Sequence, residues 1–169
     1  MLEVLVTILI LTVGMLGLAA LQGKAHTSEL ESYQRGQALI LLQDISSRME
    51  NNTGAAASYV TAASGLGTGA TDAAVCTTLA TRAAIDLCEW SKALKGSSEK
   101  KGTTKQGAMI DGRGCVATSG TNAYLISVVW QGLNTTAAPA TACGKDLYDS
   151  ETTRRAVTMT VRVPDLAGS

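Results

Sequence analysis

VLVTILILTVGMLGLAALQG, residues 4–23, is the stretch that decides how this chain is built. It lies between Glu3 and Lys24 and carries no charged side chain. About twenty uncharged residues is the length an α-helix needs to cross the hydrocarbon core of a bilayer. Thr7 and Thr12 are compatible with that setting, because a hydroxyl can bond back to a carbonyl one turn earlier. The stretch reads as a membrane span. Glu3 stands apart, since a carboxylate at the membrane end is costly until an opposite charge meets it.

A cleavable secretory signal also opens on an apolar run, but it begins with a basic segment, is shorter and ends at a small-x-small cleavage site. Here an acidic residue leads and helix-compatible sequence continues past the end of the run. From Lys24 the pattern turns amphipathic, with no Pro and a single Gly, Gly36, before the stop signal Asn51-Asn52-Thr53-Gly54. Projected at about 100° per residue, Leu30, Ala38, Leu41, Leu42, Ile45 and Met49 share an arc of about 120°, the width of a face buried against a domain. Leu39 and Ile40 fall off that stripe, while Glu31 and Arg48 fall on or near it. One helix to about residue 53 would be about 80 Å long, so its first half is expected to be buried by something other than its own head. Three segments follow: 1–23 as the membrane or filament-core helix, 24–53 as the amphipathic half that packs on the head, and 54–169 as the head.

Composition fits that division. Hydrophobic residues make up 46% of the chain and aromatics only 4%, with no Phe, so apolarity is concentrated at the front. Lys plus Arg and Asp plus Glu balance at 14 each, which gives no charge argument for a polyanion partner or an acidic substrate. Cys76, Cys88, Cys115 and Cys143 all lie beyond the apolar run, and none forms a C-x-x-C pair. An even count suggests two disulfides and an oxidising compartment. Four cysteines allow three connectivities; the local one, Cys76 with Cys88 and Cys115 with Cys143, is expected because each pair brackets a compact stretch. In the chain-entropy picture each contributes roughly 3 kcal/mol.

Within the head, residues 54–72 are rich in Gly, Ala, Ser and Thr and read as a surface loop. Ala73 to Leu94 reads as one or two short helices, with Trp90 covering apolar surface. Tyr124 to Trp130 and the strict alternation from Val157 to Val163 read as strands. A third strand around Cys115 to Thr118 is joined to the first by the hairpin residues Ser119-Gly120-Thr121-Asn122. Gln131 to Ser150 is a long loop held at Cys143. The fold class is α+β, a long N-terminal helix on a small antiparallel sheet of three or four strands.

Leu2-Glu3-Val4-Leu5-Val6, followed by Thr7 to Leu21, resembles the N-terminus of the type IV pilin superfamily. The head combination Asp86-Leu87-Cys88-Glu89-Trp90, Gly112-Arg113-Gly114-Cys115-Val116, a Tyr-to-Trp strand and Arg154-Arg155 is similar to minor pilins of the PilV type. The resemblance implies a pilin fold, a basic leader ending in Gly upstream, and an N-methylated Phe two residues before Met1. It also implies that Glu3 neutralises the N-terminal ammonium of a neighbouring subunit in the filament core. Major pilins commonly carry a Pro that kinks the anchor, and Ala19-Ala20-Leu21 occupies the matching region here, which points to a minor pilin or a type II secretion pseudopilin. The partners so implied are other minor and major pilins, the inner membrane and the pilus assembly machinery, with the head periplasmic and the assembled pilus extracellular.

No catalytic constellation competes with this reading. His26 is the only histidine and follows the apolar run by one turn. No Gly-x-Ser-x-Gly elbow, phosphate-binding Gly loop or His-rich cluster is present, so no enzyme activity, cofactor, metal or small-molecule substrate is expected. Asp146, Asp149 and Glu151 lack the ligand spacing of a calcium loop. Lys95, Lys100, Lys101 and Lys105 make a basic stretch, but Glu99 interrupts it and no aromatic is interleaved, so it reads as a solvated loop and not as a nucleic-acid surface. A tethered adhesin or DNA-binding module is the competing class.

Overall fold

A computed structural model describes residues 2–97, 100–101, 104–105 and 109–164, the two short pairs by their backbone alone. The chain falls into two compact units, Met1–Tyr33 and Gln34–Ser169. The boundary lies inside helix α1, Leu2–Glu50.

In the first unit α1 runs without Pro, and its glycines meet no neighbouring side chain. Its hydroxyls are satisfied locally: Thr7 Oγ1 donates to Val4 O at 2.9 Å and Thr12 Oγ1 to Leu9 O at 2.8 Å. The helix therefore presents no unbonded side-chain hydroxyl along the apolar run.

In the second unit the helix becomes one-sided. Gln34, Ala38, Leu42, Ile45, Ser46 and Met49 are buried, a three-and-four spacing that keeps them on one face. Leu30, placed on this stripe by its periodicity, is 54% exposed. It lies one turn before the second unit begins, so the stripe outlasts the core that uses it. Leu39 and Ile40 are exposed, as their off-stripe angles require.

The buried face shares its core with helix α2, Arg82–Leu94, and with a sheet. Thr81 caps α2, its hydroxyl accepting from Ala84 N at 3.2 Å. The helix ends where Gly96 takes φ +73° and donates to Ala93 O. The strands are β1 (Leu66–Gly67), β2 (Lys100–Lys101), β3 (Thr104–Lys105), β4 (Arg113–Gly120), β5 (Ala123–Gln131) and β6 (Arg154–Arg162). The main sheet is antiparallel throughout in the order β1-β4-β5-β6, and β2 with β3 forms a separate ribbon.

Period-two alternation divides the sheet into two faces. On one, Tyr124, Ile126, Val128 and Trp130 of β5 meet Val157, Met159 and Val161 of β6 and Val116 of β4, all packed with α1 and α2. Trp90 is completely buried here and donates its indole N–H to Leu41 O at 2.9 Å, which fixes α2 to α1. On the other face Cys115, Val129, Cys143 and Tyr148 form a smaller cluster under the loop between β5 and β6. Disulfides join Cys76 to Cys88, with Cα atoms 5.6 Å apart, and Cys115 to Cys143 at 5.8 Å.

Residues 54–72 depart from a plain surface loop. They contain a 3-10 helix, Thr53–Tyr59, and β1, with Ala56 and Tyr59 in the core. The segment is drawn in through its own N–H groups: Thr61 N–H donates to Val116 O at 2.9 Å, and Gly67 N–H to the Ser91 hydroxyl at 2.9 Å. Gly67 has φ +98° and its backbone lies against Gly112 O, so a side chain is excluded there.

Gly114 occupies the matching tight place under Trp90. A Cβ added there would lie inside van der Waals contact with the Trp90 ring and 2.8 Å from Leu94 Cδ1. Gly114→Ala is expected to destabilise the second unit by about 1–3 kcal/mol, as overpacking does, with a shift in Trp fluorescence. Denaturant unfolding of the full chain in detergent reads both; an unchanged midpoint contradicts the packing described.

Candidate assembly site

Glu3 lies in the first turn of α1, where a carboxylate also suits the positive end of the helix. The residues that follow are exposed around the whole circumference, from 47% at Val6 to 71% at Met15 and Leu16. A helix apolar on every side is at home in a core or a bilayer, and none of the apolar window is buried within the chain. This helix is long and apolar enough to cross a membrane. Beyond the run Thr27 Oγ1 donates to Lys24 O at 2.9 Å, and His26 Nδ1 lies 3.5 Å from Glu29, with both of these side chains largely in solvent.

The second unit holds its part of α1 through an ionic cluster that periodicity alone does not reveal. Arg48 reaches Asp44 at 3.0 Å, Asp86 at 3.0 Å and Glu89 at 2.6 Å. Asp86 is 1% exposed and also pairs with Arg82 at 2.9 Å, while its other oxygen accepts from Tyr59 Oη at 2.6 Å. Burial works against the Arg48 charge, but the hydrogen bond to Glu89 and the Asp44 and Asp86 carboxylates outweigh it and hold its pKa above the ordinary arginine value. Burial raises the Tyr59 pKa, and its hydrogen bond to Asp86 raises it further. Arg48, which interrupts the apolar stripe in the sequence, is the ion-pair partner of α2. Asp86-Leu87-Cys88-Glu89-Trp90 thus supplies two carboxylates to Arg48, one disulfide half and the core indole.

A second cluster orders the loop between β5 and β6. Arg154 is 1% exposed; its guanidinium donates to Thr141 O at 2.9 Å, Cys143 O at 3.0 Å and Pro139 O at 3.2 Å, and pairs with Glu151. With the Cys115–Cys143 bond it seats the loop on the sheet. The hydrogen bond from Arg154 lowers the Glu151 pKa, and the Asp146 N–H adds to the effect. Tyr148 donates to Asp111 O at 2.9 Å; burial raises its pKa, and the Asp111 charge raises it further. Beside this loop lies an open groove of about 270 Å³, lined by Thr61, Ala63, Ala117, Leu125, Ser127 and Thr141 among others. It carries no charged side chain.

Lys95 is occupied by Asp72 and by Ala70 O. Lys100, Lys101 and Lys105 belong to the β2–β3 ribbon by their backbone, and Glu99 lies outside the described residues, as does Met1. Both carboxylate oxygens of Glu151 are engaged, by Asp146 N–H and Arg154. Among the described residues no group of three or more His, Cys, Asp or Glu stands ready to hold a metal.

Because the folded Glu151 pKa lies below the ordinary value, its contribution is complete above that ordinary value and is lost as pH falls through the folded one. Acidification is therefore expected to loosen residues 139–143 before the rest of the sheet. Glu151→Gln should reproduce the loosening at neutral pH, since it leaves the buried Arg154 charge without its counter-ion. Amide exchange at Cys143 as a function of pH reads this; identical profiles for both proteins contradict it.

Comparison with known proteins identifies no relative: no family model, no curated protein and no solved structure matches the chain.

Proposed function

We propose that the chain is a structural, non-catalytic subunit of the type IV pilin kind: a minor pilin anchored in the inner membrane by residues 4–23 and incorporated with other pilins into a pilus. The observation that carries this reading is the helix over residues 4–23, uncharged, apolar on all sides and opened by Glu3. Fully covering one Leu, Ile, Val or Met side chain is worth about 1.5–3 kcal/mol, so the run as a whole favours a non-aqueous setting by on the order of tens of kcal/mol. Lipid satisfies that demand before assembly, and a bundle of similar helices satisfies it afterwards. Transfer between the two keeps the apolar surface dry throughout.

Glu3 gives the transfer a register. In lipid its carboxylate sits near the headgroups; among packed helices it is stable only beside an opposite charge, which the N-terminal ammonium of a neighbouring subunit supplies. A helix with a merely anchoring role has no such use for Glu3. The lack of Pro between residues 2 and 50 favours a minor subunit over a major one, by the resemblance. Two disulfides suit a head on the periplasmic side, where oxidation is permitted.

Glu3→Ala is expected to leave membrane insertion intact and to reduce recovery of the subunit in sheared pili by about tenfold or more, the scale of one unmatched buried charge. Quantifying the chain in membrane and pilus fractions of the same cells decides the matter. Equal incorporation of both proteins contradicts an assembly role. A deletion strain that loses secretion while keeping its pili assigns the chain to a pseudopilus instead.

A further inference from the structure

β6 ends the main sheet: its nine residues pair with β5 in an unbroken register, from Ala123 opposite Arg162 to Gln131 opposite Arg154. The bonds that bracket this ladder fix its phase. Val163 N–H donates to Asn122 O at 2.9 Å, and Gly132 N–H donates to Thr153 O at 2.7 Å. In an antiparallel ladder successive residues turn their backbone groups to opposite sides. Val157, Met159 and Val161 therefore bond to β5, while Ala156, Thr158, Thr160 and Arg162 aim their N–H and C=O groups outward.

That outward row is already used at one end, where Thr136 N–H donates to Thr152 O at 2.8 Å. The loop then leaves, and among the described residues no backbone or side-chain bond is made to the outward groups of Ala156, Thr158, Thr160 or Arg162. Proteins usually protect such an edge with Pro, a bulge, an inward charge or a cover. From Ala156 to Val161 this strand has no Pro and no charged side chain, and its register with β5 shows no bulge. Its side chains are sorted as well. Thr158, Thr160 and Arg162 are exposed on one face, and Val157 and Met159 are half-buried on the other, at the margin of the main core.

We propose that this edge receives an extended segment of another polypeptide as a fifth strand, antiparallel to β6. The segment carries apolar residues opposite Val157, Met159 and Val161, hydroxyl residues opposite Thr158 and Thr160, and a carboxylate opposite Arg162. The first set extends the core, and the last meets an arginine for which the described residues supply no ion pair. A second copy of β6 would leave Arg162 without a carboxylate opposite it. A symmetric pairing centred on Met159 sets Arg162 against Ala156, and one centred on Thr158 sets it against Arg154; neither offers a carboxylate. The inference stands independently of how residues 4–23 are buried.

The test is amide hydrogen exchange, residue by residue, on the full chain in detergent micelles, with the capped peptide Glu-Val-Thr-Ile-Thr-Val-Ser as probe. The expected result is slowing of about tenfold or more at the Thr158 and Thr160 amides, with Val157, Met159 and Val161 unchanged. N-methylation of the two peptide Thr residues, whose N–H groups would face β6, should abolish the effect. N-methylation of the peptide Val and Ile residues, whose N–H groups face away, should preserve it. Thr158→Pro removes an outward N–H without removing a bond of the β5 ladder and should abolish the slowing read at the Thr160 amide while leaving thermal unfolding unchanged. No slowing, or equal slowing by both methylated peptides, overturns the proposal. Slowing that grows with protein concentration without peptide also overturns it, because the occupant is then a second copy.

Discussion

Residues 4–23 form a helical stretch of twenty uncharged residues with none of its apolar surface buried within the chain, and that uncovered surface is the constraint on which the proposed function depends. Twenty residues without a charge, exposed on every side of a helix, demand either lipid or other helices. In the proposed reading Glu3 at the edge of that run adds a second demand, an opposite charge, which the terminus of a neighbouring subunit would supply. The proposed assembly role rests on those two demands acting together. The head, by contrast, has to be stable on the aqueous side with a small core and few aromatics, and its disulfides supply part of what burial lacks.

Inside the second unit the polar groups are spent on holding elements together. Arg48, Asp86 and Tyr59 tie α1 to α2 and to the segment that follows α1, and Trp90 adds both an indole bond to Leu41 and the bulk that fills the space above Gly114. On the opposite sheet face Arg154 plays a comparable part, gathering three loop carbonyls and Glu151 around one buried guanidinium. Both clusters bury a charge with its counter-ions, an arrangement that favours one geometry over many compact alternatives when every donor is met. The sheet is thereby covered on both faces near its centre, while among the described residues no strand pairs with the outer edge of β6.

Features with a strong period or a strict length were legible in the sequence. The apolar run declares itself by length, Ala38, Leu42, Ile45 and Met49 by helical spacing, and β5 and β6 by alternation and β-branched content. What escaped was set by tertiary contacts. Residues 54–72 look like a loop because Gly and Ala carry no periodic signal, yet Tyr59 is carried into the core by its bond to Asp86, and Gly67 by the close approach of Gly112. Arg48 reads as a defect in an apolar stripe until its partners, about forty residues on, are brought beside it. Leu30 shows the converse: periodicity marks which face of a helix is apolar but not where the domain that covers it stops. Arg154 stands in the sequence only as half of the Arg154-Arg155 pair that resembles other heads, whereas its role in seating the loop depends on carbonyls that no side-chain pattern reports.

The most direct test of the central claim is the state of the purified intact chain when detergent is removed. Sedimentation should find it floating with added liposomes, or in large assemblies when no lipid is supplied, and no stable monomer in buffer. A monodisperse water-soluble species of 17.4 kDa would contradict the account.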